Sequence, residues 1–179
     1  MIREIAARRY AEAAFEIARE AGTEDRWSEG LALVAAVFSN PEMTAVMQEA
    51  RISTANKLAA AEQTLAGVDP LVLNLARLLV NRGRTALAAQ VAEAFQELLD
   101  AQRGIAHAEV TTAVPLSEGE AKAVAAKLGE ITGKEVVVET RVDEGIIGGL
   151  VARIGDKLID GSTRSRLAAL KRRLEETRA

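Results

Sequence analysis

The apolar periodicity of this chain changes once, near Gly104, and that single switch limits the folds open to it. Up to Gly104 the apolar residues recur at helical spacing throughout. Beyond it, β-branched segments alternate, as in AEVTTAV at 108–114 and EVVVETRV at 135–142. The pattern predicts an α+β protein, with an N-terminal six-helix bundle over residues 1–104 followed by a small α/β C-terminal domain over 105–179. No Pro-, Gly- or Ser-rich linker separates the halves, so they join directly.

Start and stop signals divide the first half. A helix runs from Arg3 to Ala21 and ends at Gly22, and Thr23 is placed to cap the second, which reaches Ser39. Asn40-Pro41 and Asp69-Pro70 each pair an N-cap side chain with proline at the first helical position, opening the third and fifth helices. Ser53 or Thr54 opens the fourth, which stops at Gly67. Gly83 ends the fifth where a left-handed residue is wanted, and the sixth spans Thr85 to Arg103.

In the second half, 108–114 predicts a strand. Ser117 with Glu120 forms a capping box that opens a helix to Thr132. Gly133-Lys134 turns the chain into a strand at 135–142. Strands at 149–155 and 157–160 follow, and Gly161-Ser162 starts a basic C-terminal helix.

Several chemistries are poorly supported. The absence of cysteine excludes disulfides, thiolate metal sites and cysteine nucleophiles. The one histidine, His107, allows no multi-histidine metal site and gives a Ser-His-Asp triad little support; before a strand, it reads as structural. Gly129 to Lys134 resembles a P-loop only faintly. It has three residues between its glycines instead of four, and Glu135 stands where Ser or Thr should hold magnesium, so a helix C-cap explains it. Paired carboxylates fall at helix starts, turns or the tail. Asp156 and Asp160 suit capping and turns. No cofactor is expected.

The net charge of −3 gives no global field for nucleic acid. The last helix is basic, yet the second half carries no aromatic residue to stack on bases, so no nucleic-acid partner is expected. MIREIAARRY lacks the apolar core of a signal peptide. No stretch approaches the ~20 apolar residues of a membrane span. A soluble cytoplasmic chain is the expectation.

Two N-terminal helices carry more information. At about 100° per residue, the first gathers Glu4, Arg8, Arg9, Glu12, Glu16, Arg19 and Glu20 on one side. Ala6, Tyr10, Ala13, Ala14, Ile17, Ala18 and Ala21 take the other, an alanine-paved face that another helix can approach closely. In the fifth, PLVLNLARLLV, apolar residues cover an arc of roughly 220°, with only Asn74 and Arg77 marking a polar strip. Such a helix is either central in its bundle or has a second apolar surface to bury, such as a groove for a partner's amphipathic helix.

RRYAEAAFEIA at 8–18 resembles the opening helix of the δ subunit of F-type ATP synthases, the family of the mitochondrial oligomycin sensitivity-conferring protein. GGLVARIGDKLIDGSTRSRLAALKRRL at 148–174 is similar to that family's C-terminal signature, filled by Gly149, Gly155, Asp156, Asp160, Ser162, Leu167 and Leu170. VTTAVPLS at 110–117, Trp27 and the segment Asn74 to Gly83 also fall where the family places them. One departure is Thr85, where the family usually has an apolar residue.

The resemblance implies a non-catalytic stator. In that family the N-terminal domain binds the N-terminal helix of an α subunit, and the C-terminal domain joins the C-terminal ends of the b subunits. Together they hold the catalytic head still while the rotor turns, and membrane association comes only through the complex, at the cytoplasmic face. The α-subunit helix docks between the first and fifth helices. Carried onto this sequence, the contacts are Tyr10, Ala13, Ala14 and Ile17 with Leu75, Leu78 and Leu79. The competing readings are a helix-binding adaptor of the same fold with another partner, and an enzyme in the second domain, for which no constellation is present.

Overall fold

The computed structural model describes residues 2–143, 145–155, 157–165 and 167. Asp156, Leu170 and most of the expected C-terminal helix lie outside the described residues. The chain divides into two compact units, Met1–Leu99 and Asp100–Ala179.

The first unit holds α1 (Ile2–Ala21), α2 (Glu24–Ser39), α3 (Pro41–Gln48), α4 (Thr54–Thr64), α5 (Pro70–Asn81), a 3-10 turn (Thr85–Leu87) and most of α6 (Ala88–Arg103). Their ends are built from local atoms. α1 closes at Gly22 (φ +63°), with the Thr23 amide donating to the Ala18 carbonyl at 2.9 Å. α5 closes the same way at Gly83 (φ +62°), where Arg84 N donates to Leu79 O at 2.8 Å. Asn40 Oδ1 accepts from the amides of Glu42 and Met43, Ser53 Oγ from Asn56, and Asp69 Oδ1 from Leu71. Each such cap contributes about 1 kcal/mol.

Thr23 departs from expectation. Its side chain caps nothing, because its backbone (φ −121°, ψ 24°) is outside the extended region an N-cap needs. α4 ends at Thr64, three residues before Gly67. The sixth helix begins as the 3-10 turn, and regular α geometry starts only at Ala88.

One core serves all these helices. Among the described residues, those α1 buries fully in it are alanines, Ala7, Ala11, Ala14 and Ala18, at spacings that fit one helix face. Trp27 stacks on Phe95 with ring centroids 6.2 Å apart, and Phe15 meets Phe95 edge-on at 5.5 Å. α5 contributes Val72, Ala76, Leu79 and Val80. Its Leu71 and Leu78 remain 46% and 40% exposed. The wide apolar arc of α5 is therefore two faces, one in the core and one outside it.

The second unit contains a four-stranded sheet in the order β2-β1-β3-β4, from β1 (Ile105–Thr112), β2 (Glu135–Val142), β3 (Leu150–Ile154) and β4 (Lys157–Asp160). β1 and β2 pair in parallel, joined by α7 (Glu118–Thr132); the β1–β3 and β3–β4 pairs are antiparallel. The Ser117–Glu120 capping box is present, and Gly133 (φ +68°) ends α7 with its amide on the Gly129 carbonyl. That C-cap is what the P-loop-like string builds. Ala108, Val110, Val136, Ala152 and Leu128 form the core between sheet and helix.

β1 starts three residues earlier than its sequence suggests. Ile105 pairs with Glu135, whose amide donates to Gly104 O at 3.0 Å. His107 is thus inside the strand, and Val114 lies beyond its end, 66% exposed. Gly149 (φ +84°) is a close backbone approach: a Cβ there would lie 2.5 Å from Gly161 O.

Candidate functional site

An apolar groove runs between α1 and α5 over α2. It encloses about 260 Å³ and is lined by Tyr10, Ala13, Ala14 and Ile17 from α1, Trp27 from α2, and Leu71, Asn74, Leu75 and Leu78 from α5. On α1 the wall is the helix face next to the core stripe. Ala14 belongs to both, buried on the core side, while Ala13 is exposed and Ile17 is 46% exposed. On α5, Leu71, Leu75 and Leu78 share a side one step round from Val72, Ala76 and Leu79. Ile17, Leu71 and Leu78 are thereby exposed along one short channel. Isolated exposed leucines need no explanation, but a contiguous set does.

The rim is polar and ordered. Tyr10 Oη accepts from Arg84 Nη1 at 3.1 Å. Arg77 donates from Nε to Glu62 Oε1 at 2.7 Å and from Nη1 to Asn74 Oδ1 at 2.9 Å, tying the outer side of α5 to α4. Trp27 forms part of the wall from below, fixed by its stack on Phe95 and 2% exposed. Nothing in the channel resembles a nucleophile with its base; it can bind an apolar surface and orient it.

Six of the sequence-derived contact residues line this groove: Tyr10, Ala13, Ala14, Ile17, Leu75 and Leu78. Leu79 does not. It is 0% exposed and packed in the core, because one residue along a helix turns the side chain about 100° away from Leu78. Leu71, Asn74 and Trp27 complete the wall. Leu71 was legible as the residue four before Leu75 on the same helical side. Trp27 carried no local signal, since only packing brings α2 beneath the other two helices.

A larger depression of about 490 Å³ lies elsewhere on the first unit, lined by Ala36, Val37, Asn40, Glu42, Met43, Val46, Ala60 and Thr64. Its lining mixes Asn40, Glu42 and Thr64 with apolar side chains, so it offers a partner a more polar surface than the α1–α5 groove does. In the second unit, His107 Nε2 lies 2.8 Å from Asp100 Oδ2, a link between the last turn of α6 and β1.

The family model described as ATP synthase delta (OSCP) subunit matches residues 6–174. The chain belongs to this family. It is 38% identical over 172 residues to ATP synthase subunit delta of Dehalococcoides mccartyi, covering 96% of this chain and 95% of that protein. It is 39% identical over 176 residues to the Symbiobacterium thermophilum subunit delta, covering 97% and 95%. Among solved structures, a chain of the Toxoplasma gondii mitochondrial ATP synthase hexamer has the same fold. Its TM-score is 0.65 at 24% identity, over 94% of this chain and 96% of that one. As a member of the delta (OSCP) family, the chain is a structural, non-catalytic subunit of the membrane-associated ATP synthase, in its peripheral stalk.

Proposed function

We propose that the α1–α5 groove receives the amphipathic N-terminal helix of an ATP synthase α subunit. The six-helix N-terminal domain then grips the F1 head. The C-terminal domain meets the C-terminal ends of the b subunits, and the chain ties head to stalk at the cytoplasmic face of the membrane. The observation that carries this reading is the exposed line of Ile17, Leu71 and Leu78 along one channel, on the two helices that the family resemblance implicates.

A stator link under torque needs slow dissociation, and apolar burial supplies it. Covering ~600 Å² of apolar surface contributes ~15 kcal/mol before the costs of association and ordering. A surplus of about 12 kcal/mol corresponds to nanomolar affinity.

The test is calorimetric titration of the full chain with a peptide copying the first ~20 residues of the same organism's α subunit, with a negative heat-capacity change as the mark of apolar burial. Ala13→Asp and Leu78→Asp place a charge where the helix would cover it, and both sites tolerate a polar group in the free protein because they are exposed. Binding should be lost in both while the circular-dichroism melt is retained. Unchanged affinity in both variants rules out the groove.

A further inference from the structure

The groove has a sign at each end. The α5 side chains that face it, Leu71, Leu75 and Leu78, are followed four residues after Leu78 by Arg82. Arg82 keeps right-handed helical dihedrals as the C-cap (φ −88°, ψ −2°), so its side chain continues the same stripe. Arg84 is placed by a direct contact, its Nη1 donating to the wall residue Tyr10. Both arginines are exposed, and among the described residues neither has an acidic partner. Arg77, five residues before Arg82, is already engaged by Glu62.

α2 runs beside α5 in the same sense, with Gly30 against Val72 and Phe38 beside Val80, and the short Gly22–Thr23 turn folds α1 back along α2; with the Tyr10–Arg84 bond at its other end, α1 runs antiparallel to α5 along the channel. The groove-facing stripe of α1, Tyr10, Ala13 and Ile17, then leads away from the arginines to Glu20, which is exposed. Asp69, just before Leu71, lies at that same far end. A uniformly apolar ligand would gain nothing from this arrangement. A helix with opposite charges at its two ends would sit in it one way and be repelled the other way.

We propose that Arg82 and Arg84 fix the direction and register of the bound helix. They pair with carboxylate side chains that the partner helix carries one turn beyond its apolar face. This rests on the reading of the groove as a helix-docking site. The arginines recognise acidic residues at one end of an otherwise apolar-faced helix, and Glu20 and Asp69 disfavour acidic residues at the other. Because these groups stand at the rim, their effect is screened by salt, whereas apolar burial is not.

The experiment titrates the full chain, with Arg82→Glu and Arg84→Glu combined, using the α-subunit N-terminal peptide at about 50 mM and about 0.5 M salt. Binding should weaken about tenfold or more at low salt, and the gap should narrow at high salt. The neutral pair Arg82→Gln and Arg84→Gln should weaken it less, in the same direction. Arg51→Glu, the same charge change outside the groove lining, should leave affinity unaltered. Replacing the peptide's acidic residues at one end by lysine should restore binding to the Glu variant, identifying the end that faces the arginines. Equal affinity of the Glu variant and the unaltered chain at both salts overturns the assignment while leaving the docking site standing. Failure of the peptide to bind the unaltered chain overturns both.

Discussion

The two units solve the same problem with different materials. The first packs helices around Trp27, Phe38 and Phe95, with alanines where α1 comes closest. Every aromatic residue of the chain lies in this half. The second holds a sheet against α7 with a small core of Ala108, Val110, Leu128, Val136 and Ala152, and no aromatic. A core built on large rings can leave α5 half uncovered and still close. A core of alanine and valine has little to spare, so the second unit leans more on its strand ladder, its capping box and its glycine turns. In the helical unit part of the exposed apolar surface, Ile17, Leu71 and Leu78, is gathered along one channel between two helices.

The largest effects should come from the cores. Leu79→Ala should cost about 3 kcal/mol and lower the unfolding midpoint followed by Trp27 fluorescence. Val110→Ala should cost about 2 kcal/mol, seen by far-UV circular dichroism. If the units unfold separately, the Trp27 transition stays where it was in the Val110 variant, since all aromatic signals belong to the first unit. A matched shift of both signals would show the contrast to be one of composition alone.

Helix caps come next. Asp69→Ala and Asn40→Ala should each cost about 1 kcal/mol by thermal melt. Thr23→Ala should cost almost nothing, because its hydroxyl makes no cap bond. A loss at Thr23 equal to that at Asp69 would contradict the geometry at the start of α2.

The smallest effect is acid sensitivity of the second unit. The Ser117 hydroxyl, and then its amide, hold the Glu120 carboxyl below its ordinary 4.5. The Ser165 hydroxyl, followed by Ser162, holds Asp160 below its ordinary 3.8. A carboxylate whose folded pKa is depressed stabilises fully above its ordinary value and loses that contribution as pH falls through the lowered one. Stability should therefore decline as pH drops below those ordinary values, and Glu120→Gln should flatten the decline. An unchanged acid profile in that variant would remove the capping box from the account.

Much of the fold was legible because its signals are local. Asn40, Ser53 and Asp69 cap with their own side chains within three residues, and Gly22, Gly83 and Gly133 close helices within one turn. The β2 boundaries, Glu135 to Val142, follow from a β-branched run between a glycine turn and an acidic one. The start of β1 was not legible, since Ile105 joins the sheet only because Glu135, thirty residues on, lies beside it.

The groove divides along the same line. Sequence placed an apolar surplus on α1 and α5 and, through the strings at 8–18 and 148–174, the family. It could not say which side of that surplus the core takes. The resemblance carries Leu79 into the groove beside Leu78, and the wheel leaves Ala7 and Ala11 off the apolar side of α1; packing sends Leu79, Ala7 and Ala11 inward and leaves Leu78 and Ile17 exposed. Caps and turns are satisfied by atoms a few residues away, so the sequence alone determines them. Which face of a helix is buried depends on neighbours such as Trp27 and Phe95, distant along the chain, and only the tertiary structure decides that.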